Sequence, residues 1–357
     1  MRAALKHRDR VREIDFLGHG DAIDLFFKET NCAFPVLESL VLNFDHTQEL
    51  PDTFLGGPVL SYLPLRRLKL SRVSLACVSR FLLSVTALTD LSLHIDTAFS
   101  PSPQKSLLAC LQGMSCLRRL NLFIFSEPPS HPSTSKDITT LSKLTWFRYS
   151  GDTESLYPIV AGLSAPSLKD VDISFRVEPT VARLSRFIDE IEKHYHVLHV
   201  TTQGWSYHLS LLTQSEHIND HKPRFNLGAI RTNPPISIIG MSRLLSRRLT
   251  MVEELCVMLS DMGVSVWEDS FPWRRFLQQF PGVKTLRIQG ANNCIARALL
   301  QDNEEPNDDL VILPALEEIV LDKVLKECER GPELAVFGPF FSARQQAGRP
   351  VKVSFRA

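Results

Sequence analysis

No run of apolar residues in this chain approaches the roughly 18 to 20 that a membrane-spanning helix requires. Uncharged apolar-rich segments such as Ser106 to Leu117 and Phe81 to Thr89 fall well short of that length. Net charge is missing as well, since 40 Lys and Arg balance 40 Asp and Glu over 357 residues. Nucleic acids and acidic membrane surfaces are bound chiefly through an excess of Lys and Arg, so no nucleic-acid or membrane partner is expected beyond what a local patch could hold. The seven cysteines (Cys32, Cys77, Cys110, Cys116, Cys256, Cys294 and Cys328) are odd in number, scattered, and include no C-x-x-C pair. That argues against a disulfide framework or a zinc ribbon and predicts reduced, buried thiols in a cytoplasmic or nuclear protein. The basic residues Arg2, Lys6, Arg8, Arg10 and Arg12 are interrupted by Asp9 and Glu13 and precede no apolar stretch, so a signal peptide is not expected. With 44% hydrophobic and 22% charged residues, disordered, collagen-like and coiled-coil chains are excluded.

Catalytic and cofactor chemistry is equally sparse. Neither G-x-G-x-x-G nor G-x-x-x-x-G-K-[ST] occurs, so no phosphate cradle and no cofactor is expected. His194, His196 and His199 form H-x-H-x-x-H, but no Cys, Asp or Glu at a supporting offset completes a metal set, and a solvent-facing strand explains them. His94 beside Asp96, and Ser206 near His208, lack a nucleophile elbow. The acidic run from Asp302 to Asp309 lacks EF-hand spacing and reads as a solvated loop. Trp205, Trp267 and Trp273 read as packing residues, since few basic residues interleave with them. No enzyme, metal site or catalytic residue is predicted.

What the chain does have is self-similarity. The apolar pattern L-x-x-L-x-L returns as Val11-Ile14-Phe16, Leu37-Leu40-Leu42, Leu65-Leu68-Leu70, Leu88-Leu91-Leu93, Leu117-Leu120-Leu122, Leu144-Phe147-Tyr149 and Leu168-Val171-Ile173. It resumes as Val252-Leu255-Val257, Val283-Leu286-Ile288 and Leu316-Ile319-Leu321. First positions at 37, 65, 88, 117, 144 and 168 lie 23 to 29 residues apart, the period of leucine-rich repeats. Because strand side chains alternate faces, the middle and last apolar residues point inward, and one such strand cannot bury its face alone. The predicted fold is therefore α/β: a leucine-rich-repeat solenoid with a parallel sheet on its concave face and helical or irregular returns on its convex face. The position three after the last apolar residue is Asp45, Val73, Asp96, Phe125, Asp152 or Arg176, so no asparagine ladder runs through the series and its curvature should be irregular.

The returns carry apolar residues at helical spacing in Phe81–Val85, Ser106–Leu111, Tyr157–Leu163 and Val181–Ile188. Breakers stand at Phe54–Pro58, Ser100–Pro103 and Glu127–Pro132, the last expected to be a surface loop. From Pro179 to Gly240 the repeat fades, and His196–Thr202 with His208–Thr213 around Gly204 predicts an antiparallel hairpin. The expected organisation is one continuous series: repeats over 1–178, an irregular segment over 179–240, and C-terminal repeats with a cap over 241–357.

Four phrases carry a family likeness: the segments Phe34–Leu42, Leu50–Gly57, Leu163–Leu168 and Phe341–Val351. Together with the repeats they resemble the leucine-rich region of the F-box proteins of mushroom-forming fungi. In that family an N-terminal F-box docks on a Skp-type adaptor of a cullin-RING ubiquitin ligase and the repeats choose the substrate. The resemblance thus implies a substrate-receptor-like, protein-binding role, with a protein to be ubiquitylated as the partner. The chain departs from the family where the first repeat is already under way at Val11, leaving Met1 to Arg10 upstream. Adaptor binding is expected only if an F-box is supplied ahead of it. Leu313–Ile319 echoes an F-box opening but falls in phase as the last repeat strand. The alternative is a stand-alone or degenerate repeat scaffold with no ligase connection.

The binding surface follows from strand alternation. If the leucines point inward, Arg67, Lys69, Asp90, Ser92, Arg119, Asn121, Trp146, Arg148, Asp170 and Asp172 face the concave side. Arg67, Lys69, Arg119 and Arg148 would form a basic stripe interrupted by Asp90, with Trp146 as an amphipathic anchor.

Overall fold

Alternating apolar residues make strands because a pleated segment puts every second side chain on one face, and that face is stable only when covered. The computed structural model describes residues 7–18, 34–48, 64–96, 103–125, 138–175, 197–203, 206–212, 224–230, 242, 245, 249–258, 272–289, 292–300, 312–322 and 336–356. The chain divides into two units, Met1–Ile173 and Ser174–Ala357.

The first unit contains β1 (Glu13–Gly18), β2 (Ser39–Gln48), β3 (Arg67–Val73), β4 (Asp90–Asp96), β5 (Arg119–Phe125), β6 (Thr139–Thr140), β7 (Trp146–Gly151), β8 (Leu163–Ser164) and β9 (Asp170–Phe175). A large parallel sheet runs β1-β2-β3-β4-β5-β7-β9, and β6 pairs with β8 apart from it. The repeats meet in register. Ile14, Leu40, Leu68, Leu91, Leu120 and Phe147 make one row across the sheet, and Phe16, Leu42, Leu70, Leu93, Leu122 and Tyr149 make the next. From β2 onward every one of these is buried, while Ile14 and Phe16 on the edge strand are half-buried.

Backbone bonds repeat with the same period. The Arg66 carbonyl accepts from the N–H groups of Thr89 and Asp90 at 2.8 and 3.0 Å, and the Thr89 carbonyl accepts from Arg118 and Arg119 at 2.8 and 3.0 Å. The Arg118 carbonyl does the same for Thr145 and Trp146, and Thr145 for Lys169 and Asp170. Each strand is thereby started by its predecessor. Another regularity lies three residues before the first leucine: the carbonyls of Phe34, Met114 and Leu141 accept from Leu37, Leu117 and Leu144, all at 3.1 Å, and these turn residues are buried.

Among the described residues of this unit, three α-helices return the chain: α1 (Leu75–Ser84), α2 (Pro103–Gln112) and α3 (Thr153–Ala161). They cover the returns expected around Phe81, Ser106 and Tyr157, and α1 lies beside α2 and α2 beside α3. Neither α1 nor α3 has a side-chain N-cap bond, so apolar burial holds them: Val78, Phe81 and Leu82 in α1, Leu107 and Leu111 in α2, Leu156 and Ile159 in α3. The Cys110 thiol donates to the Ser79 carbonyl at 3.5 Å, tying α2 to α1, and burial pushes its pKa up to about 11. Cys110, Cys256 and Cys294 are buried and Cys116 half-buried, and none of the four is in a disulfide. At the end of β7 the buried Tyr149 hydroxyl donates to the Asp152 carbonyl at 2.7 Å, and a Cβ on Gly151 would collide with the Ile124 carbonyl and the Tyr149 ring.

The second unit contains β10 (Val197–Gln203), β11 (Ser206–Leu212), β12 (Arg224–Ile230), β13 (Glu254–Met258), α4 (Trp273–Leu277), β14 (Thr285–Gln289), α5 (Asn292–Leu299), β15 (Glu318–Asp322), α6 (Gly338–Gln346) and β16 (Lys352–Arg356). The expected hairpin is β10 and β11, paired antiparallel, and β12 extends it on the far side of β11. β12 was not expected, although Phe225, Leu227 and Ala229 alternate as a strand requires. Parallel pairing then runs from β10 through β13, β14 and β15 to β16. Leu198, Leu255, Leu286, Ile319 and Val353 share one row, so the segment Leu313–Ile319 is in phase with the repeats. α6 is fastened by the buried Arg344, whose Nη2 donates to the carbonyl of Leu313 at 2.5 Å, where the backbone turns at φ 48°. Val181–Ile188 and the breakers at Phe54–Pro58 and Glu127–Pro132 lie outside the described residues.

Leu91 sits at the centre of the first row, buried between Leu68 and Leu120. Leu91→Asp would bury an unpaired carboxylate at a cost of several kcal/mol, comparable with a domain's total stability of about 5 to 15 kcal/mol. The expected result is loss of the native thermal transition of the first unit; an unchanged melting midpoint would refute the register.

Candidate functional site

Once the leucine rows are buried, alternation places the intervening residues on the opposite face of the first unit's sheet. Arg67, Asp90, Arg119 and Trp146 stand side by side in one row, and Lys69, Ser92, Asn121 and Arg148 in the next. Arg67, Lys69, Arg119 and Arg148 are exposed; Asp90, Ser92, Asn121, Trp146, Asp170 and Asp172 are half-exposed. Val171 and Ile173, between and beyond the two aspartates, are buried. All ten residues expected on the polar face therefore lie opposite the apolar core.

Their electrostatics differ from a plain basic stripe. Arg119 Nε lies 3.7 Å from Asp90 Oδ1, and Arg148 Nε lies 3.3 Å from Asp172 Oδ2. Asp90 is further held by the Thr89 hydroxyl, which donates at 2.7 Å. Arg148 also sits over the Phe123 ring, 5.8 Å from its centroid, and Phe123 in turn packs against the His94 ring at 5.8 Å. Asn121 Nδ2 donates to Ser92 Oγ at 3.1 Å, and Ser71 Oγ to Asn43 Oδ1 at 2.8 Å. Exposed ion pairs of this kind contribute only about 0 to 1 kcal/mol each. What they do is neutralise Arg119 and Arg148 locally, so the face is not a uniform row of positive charge.

Strand β3 carries an irregularity that the pattern did not reveal. Between Ser71 and Val73 the pairing with β4 shifts, because two steps on β3 match the single step from His94 to Ile95. Arg72 is the extra residue, with φ 60°, and its exposed side chain donates from Nη1 to the Phe44 carbonyl at 3.4 Å. A left-handed non-glycine residue costs about 1 to 2 kcal/mol. The bulge returns Val73 to the core and leaves both Ser71 and Arg72 off it.

A second polar cluster lies in the other unit. Arg287 Nη2 lies 3.1 Å from Glu254 Oε1, and the Cys256 thiol donates to the same oxygen at 3.4 Å. His199 is the register neighbour of Cys256. No spacing rule pointed to this group, because Arg287 and His199 reach Glu254 and Cys256 of β13 from the neighbouring strands β14 and β10. Glu318 completes the surface: its carboxyl is held below its ordinary pKa, first by the Ser354 hydroxyl donating at 2.7 Å, then by Lys352 and Arg287. Among the described residues no group of three or more His, Cys, Asp or Glu is placed to hold a metal. His194, His196, Trp205, Trp267 and the acidic run of 302–309 lie outside the described residues, while Trp273 is buried against Phe276. No helix among the described residues is long and apolar enough to cross a membrane.

The fold and face define an α/β protein with a large parallel sheet, one side apolar and covered, the other polar and open. No protein-family model and no curated protein matches the chain.

Ser354→Ala should raise the Glu318 pKa toward the ordinary carboxylate range, because the largest cause of its depression is gone. A depressed carboxylate pKa adds stability above the unfolded-state pKa, and that stability is lost as pH falls through the folded value. The variant should therefore lose its small acid-side contribution at a higher pH. Carboxyl chemical shifts followed against pH check this, and an unmoved midpoint would show that Ser354 does not set it.

Proposed function

We propose that this chain is a leucine-rich-repeat solenoid that binds a protein partner across the polar face of its sheet. In this reading it is the substrate-receptor-like repeat region of an F-box-type ubiquitin ligase component of mushroom-forming fungi. It works in the cytoplasm or nucleus, without catalysis or a cofactor of its own. The observation that carries the reading is the alignment of polar residues from four successive repeats into two rows, with the half-exposed Trp146 at the end of one. A repeated strand offers one outward position per repeat to a partner lying across it, and aromatic and Arg residues dominate the energy of such contacts. The ligase connection comes from the sequence resemblance alone.

The recognition half is tested with the tagged chain as bait in a fungal lysate. A specific partner should be retained by the native chain and lost with the combined change Arg67→Glu, Arg119→Glu, Trp146→Ala, and Trp146→Ala alone should cost about 2 kcal/mol or more of binding. Retention by the triple variant would move the binding site off this face.

The ligase half has a separate test. The 357 residues alone should not bind purified Skp-type adaptor, and appending an F-box from a related protein should create binding and bring cullin down with the captured partner. Adaptor binding by the unmodified chain would show that an adaptor-binding element already lies within these residues, whereas a fusion that recruits adaptor while the partner escapes would leave the stand-alone scaffold as the better description.

A further inference from the structure

We infer that β3 is the anchoring strand of this face and that its ligand is an extended protein segment carrying two carboxylates two residues apart, as in Glu-x-Glu. This deepens the recognition reading and rests on it. Of the four cations in the two polar rows, Arg119 and Arg148 are already engaged by Asp90 and Asp172. Asp90 is the register neighbour of Arg67 as well as of Arg119, yet its ion pair is with Arg119. Among the described residues Arg67 and Lys69 have no ion pair, and both are exposed. A free surface cation attracts a partner carboxylate without first giving up one of its own.

Geometry supplies the spacing. Arg67 and Lys69 are two residues apart on one strand, about 6.6 to 6.8 Å, which is the separation of side chains i and i+2 in an extended peptide. Beside them the outward residues of β2 are Ser39, Val41 and Asn43, short and uncharged, so the two long cations stand above a low strip. Val41, half-buried next to Lys69, gives that strip an apolar contact. The bulge brings Arg72 out beyond Lys69 along the same strand.

The same layout disfavours a nucleic acid. On β1 the outward residues in these rows are Glu13 and Asp15, one strand beyond β2, and on the other side comes Asp90 on β4. A phosphate chain crossing the sheet would meet carboxylates within about two strand spacings, roughly 10 Å, which is comparable with the Debye length at physiological salt. A short acidic pair lying along β3 faces Arg67 and Lys69 directly, and the carboxylate beside Arg67 in the next strand, Asp90, is already paired with Arg119.

The test is selection from a displayed library of random peptides panned on the full chain and, in parallel, on Arg67→Gln/Lys69→Gln, a pair of exposed changes whose folding is checked by an unchanged melting midpoint. Acid-x-acid sequences should be enriched on the native chain and not on the double variant. A selected peptide, read by fluorescence polarisation, should bind the double variant at least about 10-fold more weakly and Arg119→Gln less than about 3-fold more weakly. Its affinity should fall as salt rises. No enrichment on the native chain, enrichment without the acidic pair, persistence on the double variant, or tighter binding of an oligothymidine would each overturn the proposal. If the signature fails while Trp146→Ala still releases the cellular partner, the error lies in β3 and not in the recognition face; if capture ignores the whole face, both readings fall.

Discussion

Register between parallel neighbours is the constraint on which both units depend. A single L-x-x-L-x-L strand exposes its leucines, and only when the next repeat lands at the same offset do the side chains close over one another. The double acceptance at the Arg66, Thr89, Arg118 and Thr145 carbonyls enforces that offset at the start of each strand. A slip of one residue would send Leu68, Leu91 and Leu120 to the open face and Arg67, Asp90 and Arg119 to the core, at a cost no surface contact could offset. The same bonding returns in the second unit, where the Glu253 carbonyl accepts from Lys284 and Thr285 and the Lys284 carbonyl from Glu317 and Glu318.

The polar face is a consequence of that constraint. Because the core positions are settled by apolar burial, the outward positions are free to carry charge, and rows of one side chain per repeat form without further design. Their pairing then decides which charges remain open. Arg119 with Asp90 and Arg148 with Asp172 turn an apparent basic stripe into a pattern of satisfied pairs, with the open cations concentrated on β3. The bulge at Arg72 keeps Val73 in the core while turning Arg72 itself outward.

The second unit combines antiparallel and parallel pairing. The antiparallel strands β10, β11 and β12 precede the parallel ones, yet Leu198 of β10 meets Leu255 and Val200 meets Val257, so β10 opens the parallel series of this unit in phase with β13. Polar residues in that unit again pair across neighbouring strands, Glu254 with Arg287 and Glu318 with Lys352 and Ser354.

Sequence alone determined which residues are buried and which face they leave open. A period of two within strands and of 23 to 29 between them is a local property, and it located the rows through Leu68 and Leu70, the returns at α1, α2 and α3, the β10–β11 hairpin, and all ten outward residues. The ladder of turn residues at Phe34, Met114 and Leu141 was present in the sequence too, three places ahead of each first leucine, but its meaning lies in a backbone bond that composition does not display. Only tertiary structure decided the partners. Whether Asp90 answers Arg67 or Arg119, whether β3 gains a residue at Arg72, and that Glu254, Cys256 and Arg287 meet at one oxygen depend on neighbours a full repeat away and on the side-chain directions chosen there. Burial is set by each repeat's own pattern, whereas ion pairing is set by the distance between repeats, which exists only once the strands are aligned.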